Sequence, residues 1–249
     1  MMATSPVSRS RWRALAGRWL RAMPPRLQCW VARLRSPRGV QRGARSFLHH
    51  SVQVLGKSGV SIGANTVLSQ DSWLNVNHRA SGHKAIVIGD NCFIGRRNFF
   101  SSGRAIVLGD FVLTANDCHF LGSTHVADDP MVPILSTGTT STDTICIGAN
   151  TFIGAGARIV GNVTIGHGCV IGAGATVMAD VPPFSKVVGN PATVRRRYSM
   201  ARRQWLPVAD FTADDEAALP SEVAYIARLA SQGALSMPYI AAGNDLGNC

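Results

Sequence analysis

Residues 147–177 read IGANTF, IGAGAR, IVGNVT, IGHGCV, IGAGAT and a closing Val177. Ile147, Ile153, Ile159, Ile165, Ile171 and Val177 stand six positions apart. A small or branched residue recurs four positions after most of them, at Thr151, Ala157, Val163, Cys169 and Ala175. An α-helix, with its 3.6-residue turn, would scatter these aliphatics over different faces. A short strand ended by a sharp bend satisfies the spacing: the aliphatic points inward and the following Gly permits the turn. Three such units close a triangular coil of about 18 residues, which buries its aliphatics by stacking on the next coil.

The same beat appears further upstream. It runs through Ile62-Gly63, Leu68 and Leu74, then Ile88-Gly89, Ile94-Gly95 and Phe100, and restarts at Leu108-Gly109 with Thr114 and Phe120. The slip between Phe100 and Leu108 predicts a small insertion or bulge. A longer break from Val126 to Ile145 holds Pro130, Pro133, Gly138 and many Ser and Thr residues, and reads as a loop thrown out from the solenoid. Long loops on rigid scaffolds often carry function. The expected organisation is all-β over residues 51–197 with a loop at 126–145. It is flanked by a basic, partly helical extension over 1–50 and a C-terminal extension over 198–249.

The net charge of +11 is uneven. No Asp or Glu precedes Asp71, while eleven arginines lie between Arg9 and Arg45. The basicity therefore belongs to an extension. Such a segment suits an anionic membrane surface or a phosphorylated ligand, and no base-reading motif accompanies it to suggest nucleic acid. Trp12, Leu15, Trp19 and Trp30 alternate with these arginines, and Pro24-Pro25 splits the stretch into two short candidate helices. A peripheral membrane contact, a disordered tail, a helix docked on the first coil and an organellar leader all fit this composition. The six cysteines form no C-x-x-C pair, which argues against a zinc knuckle and for small buried thiols. No apolar run reaches the roughly 18 residues needed to span a bilayer. Near the other end, Ser221 is placed to cap a helix running to about Ser231.

The Ile-Gly repeats, the Ser123-Thr124-His125 step, the loop with Asp128-Asp129-Pro130 and Pro133-Ile134, and the closing run Val188-Gly189-Asn190-Pro191-Ala192 together resemble the hexapeptide-repeat acyltransferases. The similarity covers about residues 54–197 and is strongest to the maltose, galactoside and polysaccharide O-acetyltransferase branch. It implies a left-handed parallel β-helix, a homotrimer, and sites between subunits. It also implies acetyl-CoA as co-substrate with no metal required and a sugar or glycan acceptor, while the scattered thiols fit a reducing cytoplasm and the basic N-terminus fits work at the inner membrane face.

Acyl transfer from a thioester to an alcohol needs a base for the hydroxyl proton, and histidine suits this near neutral pH. The resemblance makes His125 that base. His119, one hexapeptide earlier, is its rival or a residue of the acceptor site. Asp117, Asp128 and Asp129 are candidate orienting carboxylates. Asn98, with Ser101 near the same level, is the candidate for an acceptor hydroxyl. Gly154, Ala155 and Ala173 match the small residues that line the pantetheine channel in relatives, with Phe152 just before them. A Thr-Lys pair usual after the second of these is replaced by Met178-Ala179. Lys186 or the Arg195-Arg196-Arg197 cluster then supplies charge for the nucleotide phosphates, Arg196 matching best by position. His78, His83 and His167 are expected at the surface. Three other readings compete: an amino-sugar or serine acetyltransferase, a zinc-binding solenoid carbonic anhydrase, and a non-enzymatic scaffold.

Overall fold

Alternation along each short strand decides which side chains turn inward. In Ile86–Ile88, Ala105–Leu108 and Thr144–Ile147 the aliphatics Ile86, Ile88, Ile106, Leu108, Ile145 and Ile147 are buried, while Val87, Val107 and Cys146 face outward. These strands lie in exact parallel register, Ile88 beside Leu108 and Leu108 beside Ile147. In the computed structural model, which describes residues 37–79 and 82–231, three such stacks close a left-handed parallel β-helix.

Face one stacks Gln41–Arg42, Val60–Ile62, Ile86–Ile88, Ala105–Leu108, Thr144–Ile147 and Val163–Ile165. Face two stacks Phe47–Leu48, Val67–Leu68, Phe93–Ile94, Leu113–Thr114, Phe152–Ile153 and Val170–Ile171. Face three stacks Gln53–Leu55, Trp73–Val76, Phe99–Ser102, His119–Leu121, Arg158–Val160 and Thr176–Val177. Inside, Phe100 and Phe120 stack with ring centroids 4.4 Å apart and planes 11° from parallel.

The bend between faces two and three uses left-handed backbone at equivalent positions in successive coils: Asp71, Arg97, Asp117, Gly156 and Gly174. The bend between faces one and two does the same at Asn65, Asn91, Phe111, Asn150 and Gly168. Asn, with its short amide, tolerates this conformation, and Asn65 donates to Asn91 one coil away at 3.0 Å.

The solenoid starts earlier than the repeat pattern indicates. Gln41–Arg42 and Phe47–Leu48 already pair with Ser61–Ile62 and Val67–Leu68, so the boundary at residue 51 moves back to Gln41. This first coil has no Ile-Gly step, and its face-one strand is exposed and polar, which hides it from a pattern of inward aliphatics. The segment before residue 37, with its expected helices and membrane contact, lies outside the described residues, as does the end after Gly243.

At the other end, Ser185–Gly189 continues face two in parallel with Val170–Ile171. The chain then reverses through a cis Asn190–Pro191 bond into the antiparallel strands Ala192–Ser199 and Gln204–Pro207. Helix α1, Ala213–Ala217, begins in a capping box between Thr212 and Asp215, whose carboxyl is drawn down to about 2 by the Ser199 hydroxyl and the Thr212 amide. Helix α2, Glu222–Ser231, occupies the expected position, with Ser221 Oγ accepting from Ala224 N at 3.3 Å. Glu222 accepts from Ala149 N at 2.7 Å, and Tyr225 receives the Asn150 amide, so α2 is fastened to a coil bend.

Truncating Phe120 to Ala empties a fully buried site in this stack, and should lower unfolding free energy by about 3–5 kcal/mol in denaturant titrations. Burial also pushes the Cys92 thiol up to about 12, and those of Cys118 and Cys169 to about 11. Little thiolate then exists at about pH 8, so alkylation read by peptide mass spectrometry should spare these three in folded protein and reach them after unfolding.

Candidate active site

Beyond Leu121 the chain leaves face three, passes through Gly122, Ser123, Thr124 and His125, and returns through Gly138, Thr139 and Thr140 before Thr144 re-enters face one. The two limbs form a short antiparallel ribbon. Thr140 N donates to Thr124 O at 2.8 Å, Val126 N to Gly138 O at 3.3 Å, and His125 pairs with Thr139. Two side chains add to it: Thr124 N donates to Thr140 Oγ1 at 3.1 Å, and Ser123 Oγ to Thr140 O at 2.8 Å. The excursion expected between Val126 and Ile145 is therefore a held projection. His125 sits in its stem with an exposed side chain, so its ring is open to a substrate proton.

The candidate carboxylates are placed elsewhere. Asp117 occupies the bend between faces two and three and makes a two-pronged ion pair with Arg97, at 2.7 and 2.8 Å. Those hydrogen bonds hold its carboxyl below the usual carboxylate range. Asp129 accepts from Met131 N at 2.9 Å within the projecting loop, and Asp128 is exposed there.

Asn98 is 1% exposed. Its amide donates to Gly95 O at 2.7 Å and Ala115 O at 3.0 Å, and its oxygen accepts from Cys118 N at 3.1 Å. Its polar atoms are thus spent on three backbone groups of two coils. Its assignment to an acceptor hydroxyl gives way to a structural one: the asparagine that the family resemblance marks is the clamp of a bend. His119 differs. It lies on the outer surface of face three, half-buried, in line with Phe99 and Trp73 in preceding coils. Trp73 and Phe99 have ring centroids 5.1 Å apart, and Phe99 meets His119 edge-on at 6.1 Å. Coil-by-coil alignment of the residues just before Leu74, Phe100 and Phe120 would have revealed this aromatic file in the sequence.

Gly154, Ala155 and Ala173 share one bend in adjacent coils. A Cβ on Gly154 would lie 2.6 Å from Ala173 N, so only hydrogen fits there. Ala155 and Ala173 are exposed and stack, with Gly174 N donating to Ala155 O at 2.8 Å. This bend and His125 stand at opposite edges of face three. The three-residue strands His119–Leu121 and Arg158–Val160 lie between them, which at about 3.3 Å per residue is roughly 10 Å of strand within one chain.

The arginine cluster divides at an irregularity in the strand pairing, where Arg196 lies opposite Lys186 and Val194 opposite Val187, so that Arg195 is skipped. Arg195 and Arg196 are exposed, and Arg196 lies across from Lys186, whose ammonium sits 4.4 Å from the Trp205 ring centre. Arg197 turns inward, pairs with Glu216, donates to Pro183 O at 3.1 Å and covers the Phe211 ring. It is structural. His167 also departs from its expected surface place: at 8% exposure it contacts the rings of Phe184 and Tyr225, and its Nε2 lies 3.2 Å from Pro220 O. The C-terminal extension covers it, and nothing in the local hexapeptide foretells that.

Two family descriptions match the coils on either side of His125. Residues 147–179 match the bacterial transferase hexapeptide of six repeats, and residues 85–110 match the hexapeptide repeat of succinyl-transferase. Both stretches are thus hexapeptide repeats similar to those of transferases. The chain is 31% identical over 146 residues to the "probable acetyltransferase Rv3034c" of Mycobacterium tuberculosis, an alignment covering 56% of this chain. The chain spans about half of that relative, 48% of its length. Two solved structures of AntD, an N-acyltransferase from Bacillus cereus, share the fold. One, a variant with dTDP-4-amino-4,6-dideoxyglucose and coenzyme A, has a TM-score of 0.54 at 19% identity, covering 63% of this chain and 83% of that one. The other, with dTDP and 3-hydroxybutyryl-CoA, has a TM-score of 0.53 at 18% identity, covering 63% and 82%.

Replacing Asn98 with Ala strips partners from three buried backbone groups and should cost about 1–3 kcal/mol of stability by denaturant titration. The acceptor KM of the folded variant should stay at the wild-type value.

Proposed function

We propose that this chain is an acyl-CoA-dependent O-acetyltransferase that acetylates a hydroxyl of a sugar or polysaccharide precursor. The observation that carries the reading is the exposed imidazole of His125, held in a ribbon at one edge of a hexapeptide-repeat solenoid. The name of the mycobacterial relative supports acetyl transfer, and the coenzyme A present with AntD supports a CoA donor. His125 takes the acceptor hydroxyl proton as the oxygen attacks the thioester carbonyl, and CoA leaves as its thiol. With both substrates held together, no covalent enzyme intermediate is required.

The acceptor lies against His119 and the aromatic file of Phe99 and Trp73, whose ring faces suit the apolar C–H faces of a sugar ring. The pantetheine arm runs past Gly154, Ala155 and Ala173, where absent or minimal side chains open the backbone to an extended ligand. Arg196, with Lys186 nearby, meets the nucleotide phosphates. Since His125 and the small-residue bend lie at opposite edges of face three, the proposed site joins His125 of one protomer to that bend in another. The assembly proposed for it is a cytoplasmic homotrimer. Among the described residues, no helix is long and apolar enough to cross a membrane.

The test is thiol release from acetyl-CoA with a panel of methyl glycosides and amino sugars, beside sedimentation of the protein. His125→Ala should lower kcat at least about 100-fold, the usual worth of a general base. Acetylation of amines alone would give the N-acetyltransferase reading, and absence of acetyl-CoA binding would leave the scaffold. Arg196→Ala should raise KM for acetyl-CoA about fivefold, the size of one exposed charge pair, with a smaller change for the analogue lacking the 3′-phosphate.

A further inference from the structure

His78 lies in a short excursion between Val76 and Ile86, away from every hexapeptide strand, yet its ring reaches the ribbon that bears His125. His78 Nε2 lies 2.9 Å from Thr140 O and 3.4 Å from Thr139 Oγ1. A carbonyl only accepts, so Nε2 carries the proton and donates to it. Thr140 O thus accepts from both His78 Nε2 and Ser123 Oγ, which fills its two lone pairs. Thr139 is the residue that pairs with His125.

Two excursions leave the solenoid at the same corner, between faces three and one. The first contains His78 and the second His125. The coil between them makes a tight turn through Gly103 and Arg104. A Cβ on Gly103 would meet Gly122 O at 2.0 Å, so the second excursion starts in direct backbone contact with that turn. The bare turn lets the two excursions meet across it. The first is itself anchored: Asn77 donates to Ser101 Oγ and to Ser102 O, both at 3.0 Å, and His83 Nε2 lies 2.8 Å from Arg104 O. Hydrogen bonds therefore link face three to Asn77 and the adjoining His78 to Thr140, and the ribbon bonds of Thr124 and Val126 flank His125.

We propose that His78 is a positioning residue for the acyl transfer: its Nε2–H holds the returning limb of the loop and so sets where the His125 ring stands against the acceptor. The proposal rests on the reading of His125 as the base. A donor of the same reach should replace it, and a side chain without one should not.

The experiment compares His78→Gln, which offers an amide N–H, with His78→Ala, with His125→Ala as reference. Thiol release from acetyl-CoA is followed with whichever glycoside of the panel the wild type acetylates, and amide hydrogen exchange is measured at Val126 and Thr140. His78→Ala should lower kcat by about 10- to 100-fold, the cost of an ångström-scale misplacement, leaving KM for acetyl-CoA within about twofold. Exchange at Val126 and Thr140 should rise in His78→Ala. His78→Gln should restore kcat to within about threefold of wild type and restore the protection. Unchanged kcat in His78→Ala beside an inactive His125→Ala overturns the positioning role alone. Equal losses in the Ala and Gln variants, or wild-type protection in His78→Ala, also overturn it. An active His125→Ala removes the base assignment itself, and the exchange data still report whether His78 holds the ribbon.

Discussion

Each coil of this protein hydrogen-bonds the next through parallel strands in unbroken register, and every other feature is fitted around that pairing. With strands about 4.8 Å apart, an inward aliphatic must sit directly over another one. Ile86, Ile106, Ile145 and Val163 form one such column, and Phe100 over Phe120 forms the bulkiest step of another. A residue added within a strand would turn its aliphatics to solvent. Extra chain is therefore accepted where strands end, and the long additions gather at the corner between faces three and one.

That corner carries the proposed base. The excursion with His78 and the loop with His125 leave the solenoid on either side of a coil that turns tightly at Gly103. The ribbon at the foot of the loop supplies its own backbone partners, so His125 can be exposed without leaving many polar groups unsatisfied. The opposite edge of face three is built differently. There, left-handed residues and small side chains pack the bends so closely that one hydrogen at Gly154 is all the space allows. One edge therefore offers a side chain and the other offers bare backbone, which is the division of labour an acyltransferase between two protomers would use.

The open end of a stack of parallel strands is an edge that invites further pairing. Here Ala192–Ser199 and Gln204–Pro207 cover face two in antiparallel fashion. Arg197 and Glu216 join that cover to α1, and Glu222 and Tyr225 join α2 to the bend at Ala149 and Asn150. The same cover buries His167 and separates Arg197 from the exposed Arg195 and Arg196.

The hexapeptide beat determined the coil and the inward columns, because burial of one aliphatic per six residues is a local rule written residue by residue; the chain leaves the solenoid after Leu121, a few residues before the break the beat placed at Val126. The resemblance to hexapeptide-repeat acyltransferases marked His125, which stands in the stem of the loop. Tertiary structure decided what each polar side chain spends its hydrogen bonds on. Asn98 lies at a level where an acceptor contact was expected, but its partners are the carbonyls of Gly95 and Ala115 and the Cys118 amide, in its own and the following coil. His78 reads as an ordinary loop histidine until a carbonyl 62 positions away is brought within hydrogen-bond reach of its Nε2. Stacking sets the neighbours across coils, and those neighbours are not adjacent in any stretch of sequence; this is why the scaffold was legible and the wiring of the site was not.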